Sequence, residues 1–208
     1  ELNLLEEFAA QLPASSPVDI RMCRQLGDLL WNQMRLQGPE HGAYVDKNPL
    51  NFRHLDVLFA LLPTARVVHV VRDGRASCLS CYFQMFQHES MAFSYQLDHL
   101  IEFYSGYRRL MAYWKNRYPE RILEIRYDEL VRSSAAVLAE VLQFLGIGWD
   151  DAVLQVDGQN TVVRTASVWQ ARQPIHQRSV QRWRNYAAEA PDFFDRIAAV
   201  DAHYGMDV

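Results

Sequence analysis

Arg72 and Ser80 stand eight residues apart, across a change from the apolar run Val67-Val68-His69-Val70-Val71 to the segment Gly74–Phe83. Arginine brings a planar, permanent cation and serine a hydroxyl donor, and the two together suit a phosphate. The pair reads equally as a surface arginine and a helix-interior serine. Lys47, in Asp46-Lys47-Asn48-Pro49, is a second cation. It is either a point charge facing a phosphoryl or sulfuryl oxygen or a solvated turn lysine. Tyr127, in Arg126-Tyr127-Asp128-Glu129-Leu130, can stack on a base ring from a strand end or be a buried aromatic. The fourth feature is compositional. No acidic residue occurs from Gly158 to Ala188, while Arg164, Arg172, His176, Arg178, Arg182 and Arg184 interleave with Trp169, Trp183 and Tyr186. Such a segment can close over an anionic ligand or stack on single-stranded nucleic acid. The tryptophans argue against a merely solvated basic face.

These residues need elements to hold them. Val67 to Val71 has the length and β-branching of a buried strand, and Arg72-Asp73-Gly74 turns it into a helix that ends at Tyr82 and Phe83. Ligands of such folds sit beyond the carboxyl ends of the strands, where the helix would offer free N–H groups and a positive dipole end. Ala43–Pro49 reads as a short strand entering a polar turn, and Ile122–Tyr127 as a third strand. Helices are expected over Leu2–Leu12 and from an Asp19 cap through Leu36, with Leu26, Leu29, Leu30 and Met34 on one stripe. Another runs from Asn51 to Leu62, with Leu55, Leu58, Phe59 and Leu62 inward. A long aromatic-rich helical stretch covers Met91–Tyr118, either continuous or broken near Gly106. Ser133 or Ser134 opens a helix through Leu145 that Gly146 closes, and Pro191 opens the last, through Tyr204. Strands alternating with helices mean an α/β fold with a central, mostly parallel sheet. Three strands are few for it.

The totals bound the rest. The chain has 208 residues, half of them hydrophobic, and a formal net charge of −4. That suits one folded domain and argues against a surface that grips nucleic acid throughout. No apolar run is long enough to span a membrane and no signal peptide is visible, so no membrane partner is expected. Three cysteines point to a reducing, cytoplasmic compartment. Cys78 and Cys81 form a C-x-x-C, but without a second pair for zinc it reads as two small apolar residues on one helix face rather than a redox pair. The chain opens on Glu1 rather than Met, as a fragment or a processed chain would.

In order and spacing, Asp46-Lys47-Asn48-Pro49, Val71-Arg72-Asp73 with Ser80, Arg126 to Leu130, and Thr165-Ala166-Ser167-Val168-Trp169-Gln170 through Ser179-Val180-Gln181-Arg182-Trp183 resemble one family. It is the sulfotransferases that use 3′-phosphoadenosine 5′-phosphosulfate, in the bacterial branch often carried behind tetratricopeptide repeats and similar to tyrosylprotein sulfotransferases. The likeness runs over nearly the whole chain. It implies a P-loop-like three-layer α/β fold and transfer of a sulfuryl group to an acceptor hydroxyl, on protein tyrosine, a small molecule or a glycan, without a metal. By resemblance, Arg72 and Ser80 bind the donor's 3′-phosphate, Tyr127 lies near adenine, and a loop with Ser179 and Arg182 covers the nucleotide. Lys47 faces the transferred group. Glu1 takes the acceptor proton, late and partially, as a loose in-line transfer permits.

The chain departs from the family in one respect. The family's first strand and its Gly/Ser/Thr-rich 5′-phosphosulfate loop would precede Glu1, and no such motif occurs in these residues. The expectation is an N-terminally truncated domain that binds the 3′,5′-bisphosphate product weakly and transfers sulfate poorly, with repeats upstream in the full-length protein. Two other readings remain. A P-loop kinase would need a Walker A loop and an acidic Mg²⁺ ligand, neither of which is visible. A nucleic-acid module built on residues 164–186 has the net charge against it.

Overall fold

The computed structural model describes residues 4–12, 19–36, 43–86, 89–154 and 181–206. The chain divides into two compact units, Glu1–Ala65 and Arg66–Val208.

The first unit is helical: α1 (Leu4–Ala9), α2 (Ile20–Leu36), a 3₁₀ turn (Pro49–His54) and α3 (Leu55–Leu61). Asp19 opens α2 by accepting the Arg21 N–H at 2.9 Å. Leu26 and Leu30 are buried with Phe8 and Leu61. Leu29, expected on the same stripe, is 54% exposed. The reason is Gly27, which is buried in its place. A Cβ there would stand 2.2 Å from the Leu61 carbonyl oxygen, so α3 crosses α2 where only glycine fits and the buried stripe turns away from Leu29. The helix expected over 51–62 is also divided. Asn48 caps the 3₁₀ turn by accepting the Leu50 N–H at 3.0 Å, Pro49 opens it, and α3 follows with Leu55, Phe59 and Leu61 buried. Residues 43–48 alternate between exposed and half-buried, as extended chain does, but make no ladder among the described residues. The strand expected there is not formed.

In the second unit, β1 (Val67–Val71) pairs in parallel with β2 (Ile122–Arg126), in register from Val67 opposite Ile122 to Val71 opposite Arg126. The crossover carries α4 (Gly74–Tyr82), a 3₁₀ turn (Glu89–Tyr95) and α5 (Leu97–Arg117). After β2 come α6 (Tyr127–Arg132), α7 (Ser134–Leu145), 3₁₀ turns at Asp151–Leu154 and Arg182–Tyr186, and α8 (Pro191–His203). The described residues are thus mostly helical with one two-stranded parallel sheet, in the second unit, an α/β arrangement. β1 is not covered on both faces among them: Val71 is buried and Val70 is 46% exposed.

Gly106 does not break α5, which settles the alternative its sequence left open. Leu100, Ile101, Tyr104, Arg108, Met111 and Trp114 form one buried face along it. That packing outweighs the roughly 1 kcal/mol by which glycine disfavours a helix interior. Gly146 closes α7 in the left-handed conformation (φ 72°), as its position predicts. The main core joins Cys78 and Leu79 of α4, Leu100, Ile101 and Tyr104 of α5, and Phe193, Phe194 and Ile197 of α8. None of the described helices is long and apolar enough to cross a membrane.

Candidate anion-binding site

β1 delivers a half-buried Arg72 at its carboxyl end, and Asp73 then starts α4. The Asp73 carboxylate accepts the Arg75 backbone N–H at 2.8 Å and its guanidinium through Nε and Nη2 at 3.0 and 2.9 Å. The turn is therefore closed on itself. The Arg72 guanidinium lies over the ring of Tyr127, the first residue of α6, at 5.1 Å from its centroid. Parallel pairing of β1 with β2 produces this meeting, because Val71 lies opposite Arg126 and each chain leaves the sheet at the same level. Burial lowers the Arg72 pKa, with Tyr127, Asp73 and Cys81 opposing, and an arginine so placed stays cationic.

The N-terminus of α4 differs from expectation. Its first amide, Gly74 N–H, donates to Asp201 Oδ2 at 2.8 Å, and the next is taken by Asp73. The positive end of the helix has drawn carboxylates of its own chain onto its first two amides. Asp201 comes from α8 and is fully buried. Its Oδ1 also accepts from Tyr104 Oη and, at 3.0 Å, from Arg108 Nη1. Burial pushes this carboxyl up, against the pull of those donors. Burial and Asp201 also push the Tyr104 hydroxyl well above its ordinary value.

A third layer comes from the 3₁₀ turn at 182–186. Trp183 lies 4.0 Å under the Arg75 guanidinium, Arg182 stands 5.3 Å over Phe83, and Tyr186 meets Phe83 edge-on at 5.0 Å. Trp183 and Tyr186 also pack on the main core, so neither is a free platform for nucleic-acid bases. Two cations, Arg75 and Arg182, thus tie this turn to α4 through aromatic faces.

Residues 7–151 match the model of a family described as the sulfotransferase family. The chain belongs to that family. It is 30% identical over 170 residues to an uncharacterised protein of Aquifex aeolicus (strain VF5), covering 81% of this chain and 22% of that protein. It is 24% identical over 155 residues to protein-tyrosine sulfotransferase 1 of Danio rerio, covering 66% of this chain and 41% of that protein. With protein-tyrosine sulfotransferase 2 of Gallus gallus it shares 23% over 145 residues, 66% of this chain and 39% of that protein. The matches thus span from 22% to 41% of the length of these relatives.

In this sulfotransferase-family chain, the structure brings together Arg72 and Tyr127, and it docks Arg182 on Phe83, the residue that ends the helix Arg72 precedes. Ser80 is exposed on α4, next to Cys81, whose thiol senses the Arg72 charge. Lys47 belongs to the first unit and is exposed there, beside Asp46, which accepts the Asn51 amide at 2.8 Å. Glu1 and Ser179 lie outside the described residues. Cys78 and Cys81 are free, and burial raises both thiols, which opposes the thiolate a redox pair would use. Among the described residues no group of three or more His, Cys, Asp or Glu stands ready to hold a metal ion.

Reading the sequence missed Asp201, Tyr104, Arg108 and the stacking of Arg75. One signal was available. Phe193, Ile197 and Asp201 fall at successive i, i+4 positions of α8, so an aspartate occupies the apolar stripe of a helix. A carboxylate in that position requires buried donors.

Proposed function

We propose that this chain forms the 3′-phosphate half of a donor site for 3′-phosphoadenosine 5′-phosphosulfate, within a protein that transfers its sulfuryl group to an acceptor hydroxyl. The observation that carries the reading is Arg72, a half-buried guanidinium held over Tyr127 at the carboxyl end of a parallel strand, in a chain of this family. The pair fits the group: a planar cation for a phosphate beside an aromatic ring for a purine. Ser80 supplies a hydroxyl from the exposed face of α4, and Arg182 a second cation over Phe83. The scaffold proposed is the family's P-loop-like three-layer domain.

In the transfer, the sulfur–oxygen bond to the 5′-phosphate breaks as a bond to the acceptor oxygen forms, and the acceptor proton leaves to a carboxylate, the role given to Glu1. Charge moves onto the bridging and equatorial oxygens. Lys47 is the residue proposed to meet it, and Ser179 to cover the nucleotide with Arg182. Protein tyrosine is the first acceptor to try, since relatives of the chain are named protein-tyrosine sulfotransferases. A glycan or small-molecule hydroxyl is the second.

The test is transfer of labelled sulfate by the intact protein that carries this chain. Arg72→Ala is expected to raise the KM for the donor by about tenfold or more, the loss of a charge-assisted phosphate contact. Lys47→Ala is expected to lower kcat by roughly a hundredfold to a thousandfold, as removal of a donor to developing charge does. Wild-type parameters in both variants would refute the assignment.

A further inference from the structure

The buried cluster Asp201, Tyr104 and Arg108 has no part in the site as described so far, yet it ends on the same turn. Asp201 reaches from α8 to the Gly74 N–H at 2.8 Å, two residues after Arg72. The carboxylate is fully buried and Arg108 is 4% exposed. Arg108 holds Oδ1 at 3.0 Å and is itself fixed by the Tyr204 carbonyl at 3.2 Å, in the residue that follows α8. Tyr104 completes the grip from α5 and packs so close to Gly74 that a Cβ there would stand 2.6 Å from its ring. Three helices, α4, α5 and α8, therefore converge on one backbone amide at the point where the chain leaves β1.

We infer that Asp201 is a positioning residue for the anion site: it anchors the Arg72-Asp73-Gly74 turn from below and so fixes where the Arg72 guanidinium stands. The inference rests on the reading of Arg72 as a phosphate ligand. A turn held only by Asp73 could rock about the Val71–Arg72 backbone, since the Asp73 carboxylate bonds to Arg75, two residues on in the same segment. The carboxylate of α8 ties it to the core instead. By occupying the first amide of α4 it also assigns anion recognition at this end of the helix to side chains. A site built this way distinguishes ligands by whether a phosphate reaches Arg72, not by general attraction to a helix end.

The experiment compares two nucleotides on the intact protein: adenosine 3′,5′-bisphosphate, and adenosine 5′-monophosphate, which lacks the 3′ group. Asp201→Asn keeps shape and an acceptor for Gly74 but loses the charge facing Arg108. It is expected to raise the Kd of the bisphosphate by about tenfold and that of the monophosphate by less than about twofold. Tyr104→Phe, which keeps the ring and removes one donor, is expected to move the same ratio by about threefold, and carries the test if Asp201→Asn does not fold. Parallel losses for both nucleotides would mean a merely structural role and overturn the inference. So would an unchanged ratio in Asp201→Asn while Arg72→Ala abolishes the preference, which would leave the donor-site reading standing. If Arg72→Ala keeps the preference, that reading fails and the positioning role falls with it.

Discussion

Two of the charged networks in the second unit are built in opposite ways. Asp201, Arg108 and Tyr104 are buried and join three helices around one amide of α4. His69, Glu124, Lys115 and Tyr107 lie on the sheet and α5, where His69 and Glu124 are paired residues of β1 and β2. The Glu124 and Lys115 side chains are 30% and 40% exposed. Water can replace a lost partner in the second network and cannot in the first. A buried pair adds little net stability when complete but is costly when half is removed, whereas a wet pair contributes modestly either way. The first network should therefore respond to substitution as an all-or-none lock, and the second as a gradual support.

The sharpest way to break this comparison is Arg108→Leu. It strands the Asp201 carboxylate without its cation, and the expected loss is about 3 to 5 kcal/mol in urea unfolding. A loss near 1 kcal/mol would mean that water reaches the cluster and that the contrast is false. Gly74→Ala comes next. The new methyl would meet the Tyr104 ring at 2.6 Å, and the ring cannot swing aside without giving up its bond to Asp201. About 1 to 3 kcal/mol is expected from such overpacking. Adding Tyr104→Phe should relieve part of it, since the ring is then no longer pinned. Strict additivity of the two substitutions would show that the pinning is absent.

The same contrast explains what the sequence made legible. The strand Val67–Val71, its helix, β2, the glycine stop at Gly146 and the proline start at Pro191 each follow from local chemistry, and each forms within a residue or two of expectation. Arg72 and Tyr127 could be singled out because strand ends in parallel sheets carry sites. Their stacking could not be foreseen, because it depends on the β1–β2 register. The free helix amides were misread for a related reason. The dipole argument is sound, but the anion that answers it, Asp201, lies 127 residues away from Gly74. Leu29 and Gly106 teach the same lesson on a smaller scale. A close helix crossing at Gly27 exposes the one, and a continuous buried face carries the helix through the other.

The smallest effect expected is at Glu124, and pH can isolate it. The bond from His69 holds this carboxyl down to about 2, with Lys115 helping and partial burial opposing. A carboxyl depressed on folding binds protons less readily in the native state than in the unfolded one. Its stabilisation is therefore complete above the unfolded value, about 4.3, and is lost as pH falls from there towards 2. Solvent screening of a group this exposed limits the contribution to about 1 kcal/mol. Urea midpoints for the wild type and Glu124→Gln, measured at about pH 6 and pH 3, isolate this carboxyl from the other acids that titrate alongside it. The wild type should lose more stability than the variant between those values, by about half of that amount, because a carboxyl held down to about 2 is still largely ionised at pH 3. Arg108→Leu should leave the difference unchanged, because its network shares no ionised partner with Glu124. Equal acid sensitivity in wild type and Glu124→Gln would mean that His69 and Lys115 gain nothing from the carboxylate's charge, and that the sheet network acts through packing alone.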